Sequence, residues 1–123
     1  MSDQPQEITE RAFEFAVQVV KLCQFLRSEH GIPRVLISQF LKSGTSIGAN
    51  LEESKGGQSR ADYLSKVSIA CKEARETHYW LRIFATTILV PEAKLDWLLD
   101  EANQLVAILT TIVKKLKGDR GEH

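Results

Sequence analysis

The sequence predicts an all-α protein, an antiparallel up-down-up-down four-helix bundle. Four segments carry apolar residues at alternating spacings of three and four, which is typical of helices that each bury one stripe. Short connections containing glycine or proline join these segments, and such connections make consecutive helices antiparallel. The chain shows no strand-like alternation, no internal repeat and no low-complexity segment.

Length and composition indicate one domain of ordinary globular character. We place it at residues 7–117, between flexible tails at 1–6 and 118–123. The apolar content of 43% and the charged content of 26% are typical of such domains. The 16 basic residues balance the 16 acidic ones, which disfavours a dedicated nucleic-acid-binding protein but allows a local basic patch.

The cysteines and the N-terminal residues predict a cytoplasmic protein. Cys23 and Cys71 both occupy apolar helical positions, so we expect buried free thiols, with a disulfide as the alternative. The N-terminal residues lack the basic and apolar regions of a signal peptide. No apolar run approaches the roughly 18 residues of a membrane span, so no membrane partner is expected.

The first helix is predicted at residues 7–28. Its main stripe has a second apolar row beside it, so only a narrow face is left for solvent. The stripe and the row are Ile8, Ala12, Phe15, Val19, Leu22 and Leu26, and Phe13, Ala16, Val20 and Cys23. Gly31 suits the left-handed residue that follows a helix, and Pro33 suits the first position of the next.

The second helix is predicted at residues 33–54. Its stripe consists of Ile37, Phe40, Gly44, Ile47 and Leu51. Gly44 and Gly48 lie in the helix interior, where each costs roughly 1 kcal/mol relative to alanine. The pair therefore predicts that a neighbouring backbone or side chain approaches closely at this point.

The third helix is predicted from a capping-box-like pair, Ser59 and Asp62, to about residue 89. Its stripe consists of Leu64, Val67, Cys71, Ala74, His78, Leu81, Ala85 and Ile88. Ile69, Trp80 and Ile83 lie on a face outside that stripe.

The fourth helix is predicted at residues 91–117. Acidic residues fill its first half and lysines its end, which matches the polarity of the helix dipole. Its stripe consists of Leu95, Leu98, Ala102, Leu105, Leu109, Ile112 and Leu116.

These rows hold more apolar surface than a monomeric four-helix bundle needs to bury. Exposed apolar patches usually mark an interface, so we expect the chain to associate with itself. The alternative is that a small, tightly packed bundle needs wide stripes.

Glu73 and Glu76 share one face of the third helix, and Glu53 could join them from the second. Ferritin-like bundles bind two metals through Glu-x-x-His pairs, but the chain contains no such pair. We therefore expect half-buried glutamates paired with Arg75, Lys72, Asn50 or serine hydroxyls. Neither a nucleophile elbow nor a phosphate-binding glycine loop occurs, so we expect no enzyme and no cofactor.

The third helix is mildly basic. Its cationic side chains are Arg60, Lys66, Lys72, Arg75 and Arg82. A solvated helix face explains such charge as well as a nucleic-acid contact does. In a ring of several chains, however, weak basic patches would repeat, and affinity grows with the number of phosphates neutralised.

Three runs resemble a known family: residues 46–53 (Ser-Ile-Gly-Ala-Asn-Leu-Glu-Glu), residues 59–70 (Ser-Arg-Ala-Asp-Tyr-Leu-Ser-Lys-Val-Ser-Ile-Ala) and residues 72–77 (Lys-Glu-Ala-Arg-Glu-Thr). The family consists of bacterial four-helix bundle proteins encoded in intervening sequences of large-subunit ribosomal RNA. It is similar in turn to the accessory variability determinant of diversity-generating retroelements. The resemblance covers about residues 8–117.

The resemblance implies a homopentameric, barrel-like assembly without catalytic activity. The retroelement relative works with a reverse transcriptase and RNA through a basic surface. The residues that match the motif are implied to be structural or interface polar groups, namely Ser46, Asn50, Glu53, Ser68, Glu73 and Glu76.

Three hypotheses follow, of which the third is a metal-dependent bundle enzyme that would need stoichiometric bound metal. The first is a non-enzymatic scaffold or interaction module that assembles with itself. The second is an RNA- or DNA-binding accessory protein that uses the cations of the third helix.

Overall fold

The computed structural model describes residues 5–57, 59–87 and 90–119. These residues form four helices and no strand, which confirms the predicted all-α class. The helices are α1 (Pro5–Arg27), α2 (Arg34–Ser54), α3 (Arg60–Thr87) and α4 (Glu92–Asp119).

Helices α1 and α4 extend past the predicted domain boundaries at residues 7 and 117. Helix α1 already begins at Pro5, because the fixed φ of proline suits the first position of a helix. Helix α4 continues through Gly118 to Asp119, and Lys117 in its last turn interacts favourably with the negative end of the helix dipole. The other tail residues, 1–4 and 120–123, lie outside the described residues.

The four helices pack around one hydrophobic core. Helix α2 packs closely against α1 and α3, and α4 against α3, while α1 and α4 pack together less closely. The predicted stripes of α1 and α2 are buried in full, whereas Ile112 and Leu116 of α4 are half-buried. In the second row of α1, Cys23 is buried, but Phe13 and Val20 are exposed.

The predicted stripe of α3 is wrong in its second half. His78 is half-buried and Ala85 is exposed, while Thr77 and Phe84 are buried instead; Ile88 lies outside the described residues. A period of 3.6 allows a step of three or four after Ala74, and the partners on α2 decide which occurs. The Phe84 ring meets the Phe40 ring edge-on, with centroids 5.3 Å apart.

The structure contains the predicted N-terminal cap of α3 and the two predicted free thiols. Ser59 Oγ accepts a hydrogen bond from the backbone N–H of Asp62, 3.1 Å away, at the start of α3. Gly31 has a φ of +86°, the left-handed conformation expected after α1. Both cysteines are buried free thiols, and burial raises the pKa of Cys23 to about 11.

The two interior glycines of α2 differ in their surroundings. A Cβ built on Gly44 would lie 2.8 and 2.9 Å from the two Cγ atoms of Val19 in α1. A Cβ on Gly48 would lie 3.5 Å or more from Ala12, which is ordinary van der Waals contact. The predicted close approach is therefore present at Gly44, but a methyl group fits at Gly48.

We expect Gly44→Ala to destabilise the protein and Gly48→Ala to stabilise it. Val19 has a stiff χ1, so a new methyl group beside it forces α1 and α2 apart. Overpacking costs about 1–3 kcal/mol, which outweighs the gain of about 1 kcal/mol in helix propensity. At Gly48 the new methyl group causes no overpacking, so we expect only the gain in helix propensity, roughly 0.5–1 kcal/mol.

Urea unfolding of both variants measures these free energies. Equal stabilisation by the two alanine substitutions would show that Val19 of α1 does not lie as close to Gly44 of α2 as the structure indicates.

Candidate interaction surfaces

The motif residues of α2 bond mainly within their own helix. The hydroxyl of Ser46 donates to the carbonyl of Lys42 at 2.6 Å, and Asn50 Nδ2 donates to the carbonyl of Ser46 at 2.9 Å. Both side chains are half-buried. Each side chain therefore donates a hydrogen bond within α2 while lying at the border between solvent and protein.

Glu53 provides a polar contact between α2 and α3. Its Oε1 lies 2.7 Å from Lys66 Nζ, and both side chains are largely accessible to solvent. An exposed ion pair contributes about 0–1 kcal/mol, so this pair adds little stability. It does, however, place Lys66 on the α2 side of α3 and neutralises it there.

The carboxylates of Glu73 and Glu76 lie on the same side of α3 as Lys66. Burial raises the pKa of Glu73, and the neighbouring Glu76 raises it further, against the opposing effect of Lys72 and Lys42. Glu76 Oε2 accepts a hydrogen bond of 3.1 Å from the indole N–H of Trp80. No group of three or more His, Cys, Asp or Glu side chains in the described part of the chain could hold a metal ion.

A buried pair of hydroxyls links α2 to α3. Thr77 Oγ1 lies 2.9 Å from Ser43 Oγ and 2.7 Å from the carbonyl oxygen of Glu73. Both side chains are buried. The predicted stripe of α3 does not include Thr77, because it steps by four residues from Ala74 to His78.

A second missed contact joins α1 to α4. Arg11 Nε and Nη2 each donate a hydrogen bond of 2.9 Å to the carboxylate of Glu101, which is only 8% exposed. The same Nη2 also donates to Gln104 Oε1. The hydrogen bond to Glu101 raises the pKa of Arg11. A bidentate, partly buried pair of this kind fixes the two helices in register.

Basic residues form a row along the opposite edge of α3. Lys72, Arg75, Tyr79 and Arg82 recur at spacings of three and four, and all are exposed. The guanidinium of Arg82 lies 5.6 Å from the centre of the Tyr79 ring. Arg60 is exposed at the start of α3, and Ser68 is half-buried near the row. The structure thus separates Lys66 from the other predicted cations.

We expect Thr77→Val to lower the free energy of unfolding by about 1–2 kcal/mol. The change keeps the side-chain shape but removes a buried hydroxyl, which leaves Ser43 without its partner across the helices. Thr86→Val is the matched control, since Thr86 is exposed and bonds only to its own helix. Thermal and urea unfolding of the two variants compares them, and equal effects would show that the hydroxyl pair adds no stability.

The fold and these contacts define a class: an all-α protein of four helices, with polar contacts between neighbouring helices. No helix in the described ranges is long and apolar enough to cross a membrane. The comparison with known families makes the assignment specific. The chain belongs to the 23S rRNA-intervening sequence protein family, whose family model matches residues 4–111. This confirms the resemblance to the intervening-sequence proteins.

A solved structure supports the same assignment. It is a crystal structure of a protein of unknown function from the S23 ribosomal protein family of Bacteroides thetaiotaomicron. The two chains share 38% sequence identity and superpose with a TM-score of 0.80, over 87% of this chain and 98% of that one. No curated protein matches the sequence.

Proposed function

We propose that the protein is a non-enzymatic interaction module in the cytoplasm, an up-down-up-down four-helix bundle that assembles into a homopentameric ring. The number five comes from the family resemblance. Two contacts between α2 and α3 support the antiparallel arrangement. Ser43 contacts Thr77, whereas Glu53, ten residues further along α2, contacts Lys66, which comes earlier in α3.

The observation that carries self-association is an exposed apolar surface between α1 and α2. We define this α1/α2 apolar face as Phe13, Ala16, Val20, Thr45 and Ala49. Phe13 is 66% exposed beside a shallow groove of about 180 Å³ whose only charged lining residue is Glu52. Apolar patches of this kind mark protein interfaces.

A ring needs a second, different surface on each copy, because its contacts are heterologous. The α1/α4 groove, of about 550 Å³, offers one. Its lining includes Leu22, Phe25 and Trp97, and Trp97 is 45% exposed. In the proposed ring, Phe13 of one copy enters the α1/α4 groove of the next.

The carboxylates support a structural role and thus a non-enzymatic protein. Glu53, Glu76 and Glu101 are bound to Lys66, to the indole of Trp80 and to Arg11, respectively. Bound in this way, they serve the packing of the helices and the positioning of neighbouring side chains, not a reaction.

We expect Phe13→Glu to dissociate the assembly, because it places a charge in the centre of an apolar contact. Val35→Glu is the matched control, since Val35 is 64% exposed but lies at the start of α2, away from both surfaces. Native mass spectrometry of the wild type should give five times the 13.9 kDa chain mass.

The Phe13 variant should give the chain mass, and the Val35 variant the wild-type mass. Trp97→Glu tests the second surface in the same way. A monomeric wild type would refute self-association, and an intact Phe13 variant would refute this interface.

A second candidate function is RNA or DNA binding, as the retroelement resemblance would imply. The row formed by Lys72, Arg75, Tyr79 and Arg82 favours it, because it combines cations with an exposed aromatic ring and contains no carboxylate. The acidic residues Glu73 and Glu76 lie on the α2 side of the helix instead. Cations track a phosphate backbone, while an aromatic ring can stack on a base.

We expect Lys72→Gln with Arg82→Gln to weaken the binding of a single-stranded RNA. Each lost phosphate contact lowers the magnitude of the slope of log K against log salt concentration by about 0.7. For the double variant we therefore expect a slope that is shallower by about 1.4. The control with the same charge change is Arg34→Gln with Lys115→Gln, two exposed cations away from the row and from both proposed ring surfaces. Fluorescence anisotropy over a salt series measures both, and no binding by the wild type at low salt would refute this function.

A further inference from the structure

A third groove lies between α3 and α4, beside the basic row. It measures about 320 Å³, which is larger than one phosphate group. Three of its lining residues are cations, Arg75, Lys114 and Lys117. None of its lining residues is acidic, although the chain as a whole has no net charge.

The hydrogen bonds in the groove hold one of these cations in place. Arg75 Nη2 donates a hydrogen bond of 3.1 Å to Thr110 Oγ1, which joins α3 to α4. The Thr110 hydroxyl also lies 3.4 Å from the Sγ atom of the buried Cys71. The guanidinium is thereby held at the groove, and its remaining N–H groups are available to a ligand.

The other polar groups of the groove have no partner among the described residues. Arg75, Lys114 and Lys117 form no ion pair there, whereas Arg11, Lys55 and Lys66 each pair with a glutamate. The half-buried hydroxyl of Ser68 makes no hydrogen bond within the same ranges. Three cations and a donor hydroxyl thus line one groove without an acceptor that matches their charge.

The helix dipole explains only part of this arrangement. Lysines near the C-terminus of α4 favour its negative end, and Lys115 would do so as well as its neighbours. Yet Lys114 and Lys117 line the groove with Arg75, and Lys115 does not. The dipole does not account for this convergence of cations from two helices.

We propose that the α3/α4 groove is a phosphate-binding site that holds a backbone phosphate of a nucleic acid. A tetrahedral phosphate has several acceptor oxygens, which match donors that converge from α3 and α4. The inference rests on the second candidate function and adds Ser68, Thr110, Lys114 and Lys117 to it. The groove continues the row along α3, so a strand that follows Arg82, Tyr79 and Lys72 would reach it.

The test compares two variants with the same charge change. Lys114→Gln with Lys117→Gln removes two groove cations, and Arg34→Gln with Lys115→Gln removes two exposed cations outside all three grooves. Glutamine retains helix propensity. Two probes are used with each protein: a 12-nucleotide single-stranded RNA followed by anisotropy, and inorganic phosphate followed by amide chemical shifts.

We expect the groove variant to bind the RNA roughly tenfold more weakly at 0.1 M salt, and the control variant to bind it like the wild type. Inorganic phosphate should shift the amide signals of Ser68, Arg75 and Thr110 in the wild type and the control, but not in the groove variant.

The other outcomes separate the groove from the function on which it rests. RNA binding that both variants retain would overturn the groove site and leave the nucleic-acid function standing. No RNA binding, with phosphate shifts that only the groove variant loses, would support the site and assign it to a free phosphate compound. No shift and no difference between the variants would overturn the site.

Discussion

The packing of this protein depends on what the centre of α2 presents to its two neighbours. Gly44 lets the Val19 side chain of α1 approach to a distance that no side chain at this position would allow. The preceding residue, Ser43, places its hydroxyl against Thr77 of α3. Because the two residues are consecutive, α2 is fixed to α1 and to α3 at the same level. A shift along either neighbour would lose a close contact or strand a buried hydroxyl.

The remaining pair, α1 and α4, is held in a different way. These helices pack less closely than the other neighbours, and the bidentate pair of Arg11 and Glu101 joins them. Further along, they separate around the groove that Phe25 and Trp97 line. The close packing at the centre of α2 thus coexists with an open seam on the far side of the core. An open, partly aromatic seam is where a second chain can add contacts without disturbing the core.

The sequence predicted the helices and most of the core, because both follow from periodicity that one chain displays alone. It could not choose between His78 and Thr77 as a core residue, since a 3.6-residue period permits either step and the facing residues of α2, such as Ser43, decide. It grouped Lys66 with Arg75 because both are cations on α3, yet Glu53 pairs with Lys66 on the other side. The Arg11–Glu101 pair spans 90 positions, and no local pattern indicates it.

The charge on α3 shows how a chain with no net charge can still present a basic surface. Glu73 and Glu76 lie towards α2, where Lys42 opposes the charge of Glu73, while Arg75 bonds to Thr110 of α4 and the row that it shares with Lys72 and Arg82 contains no carboxylate. The net charge of the chain adds the charges on both edges of α3, so it does not reveal that one edge is acidic and the other basic. In the proposed ring each copy would repeat the same basic edge, and counterion release grows with every phosphate contacted. Weak patches on separate copies would then act together on one strand, so that assembly itself would determine the affinity for nucleic acid.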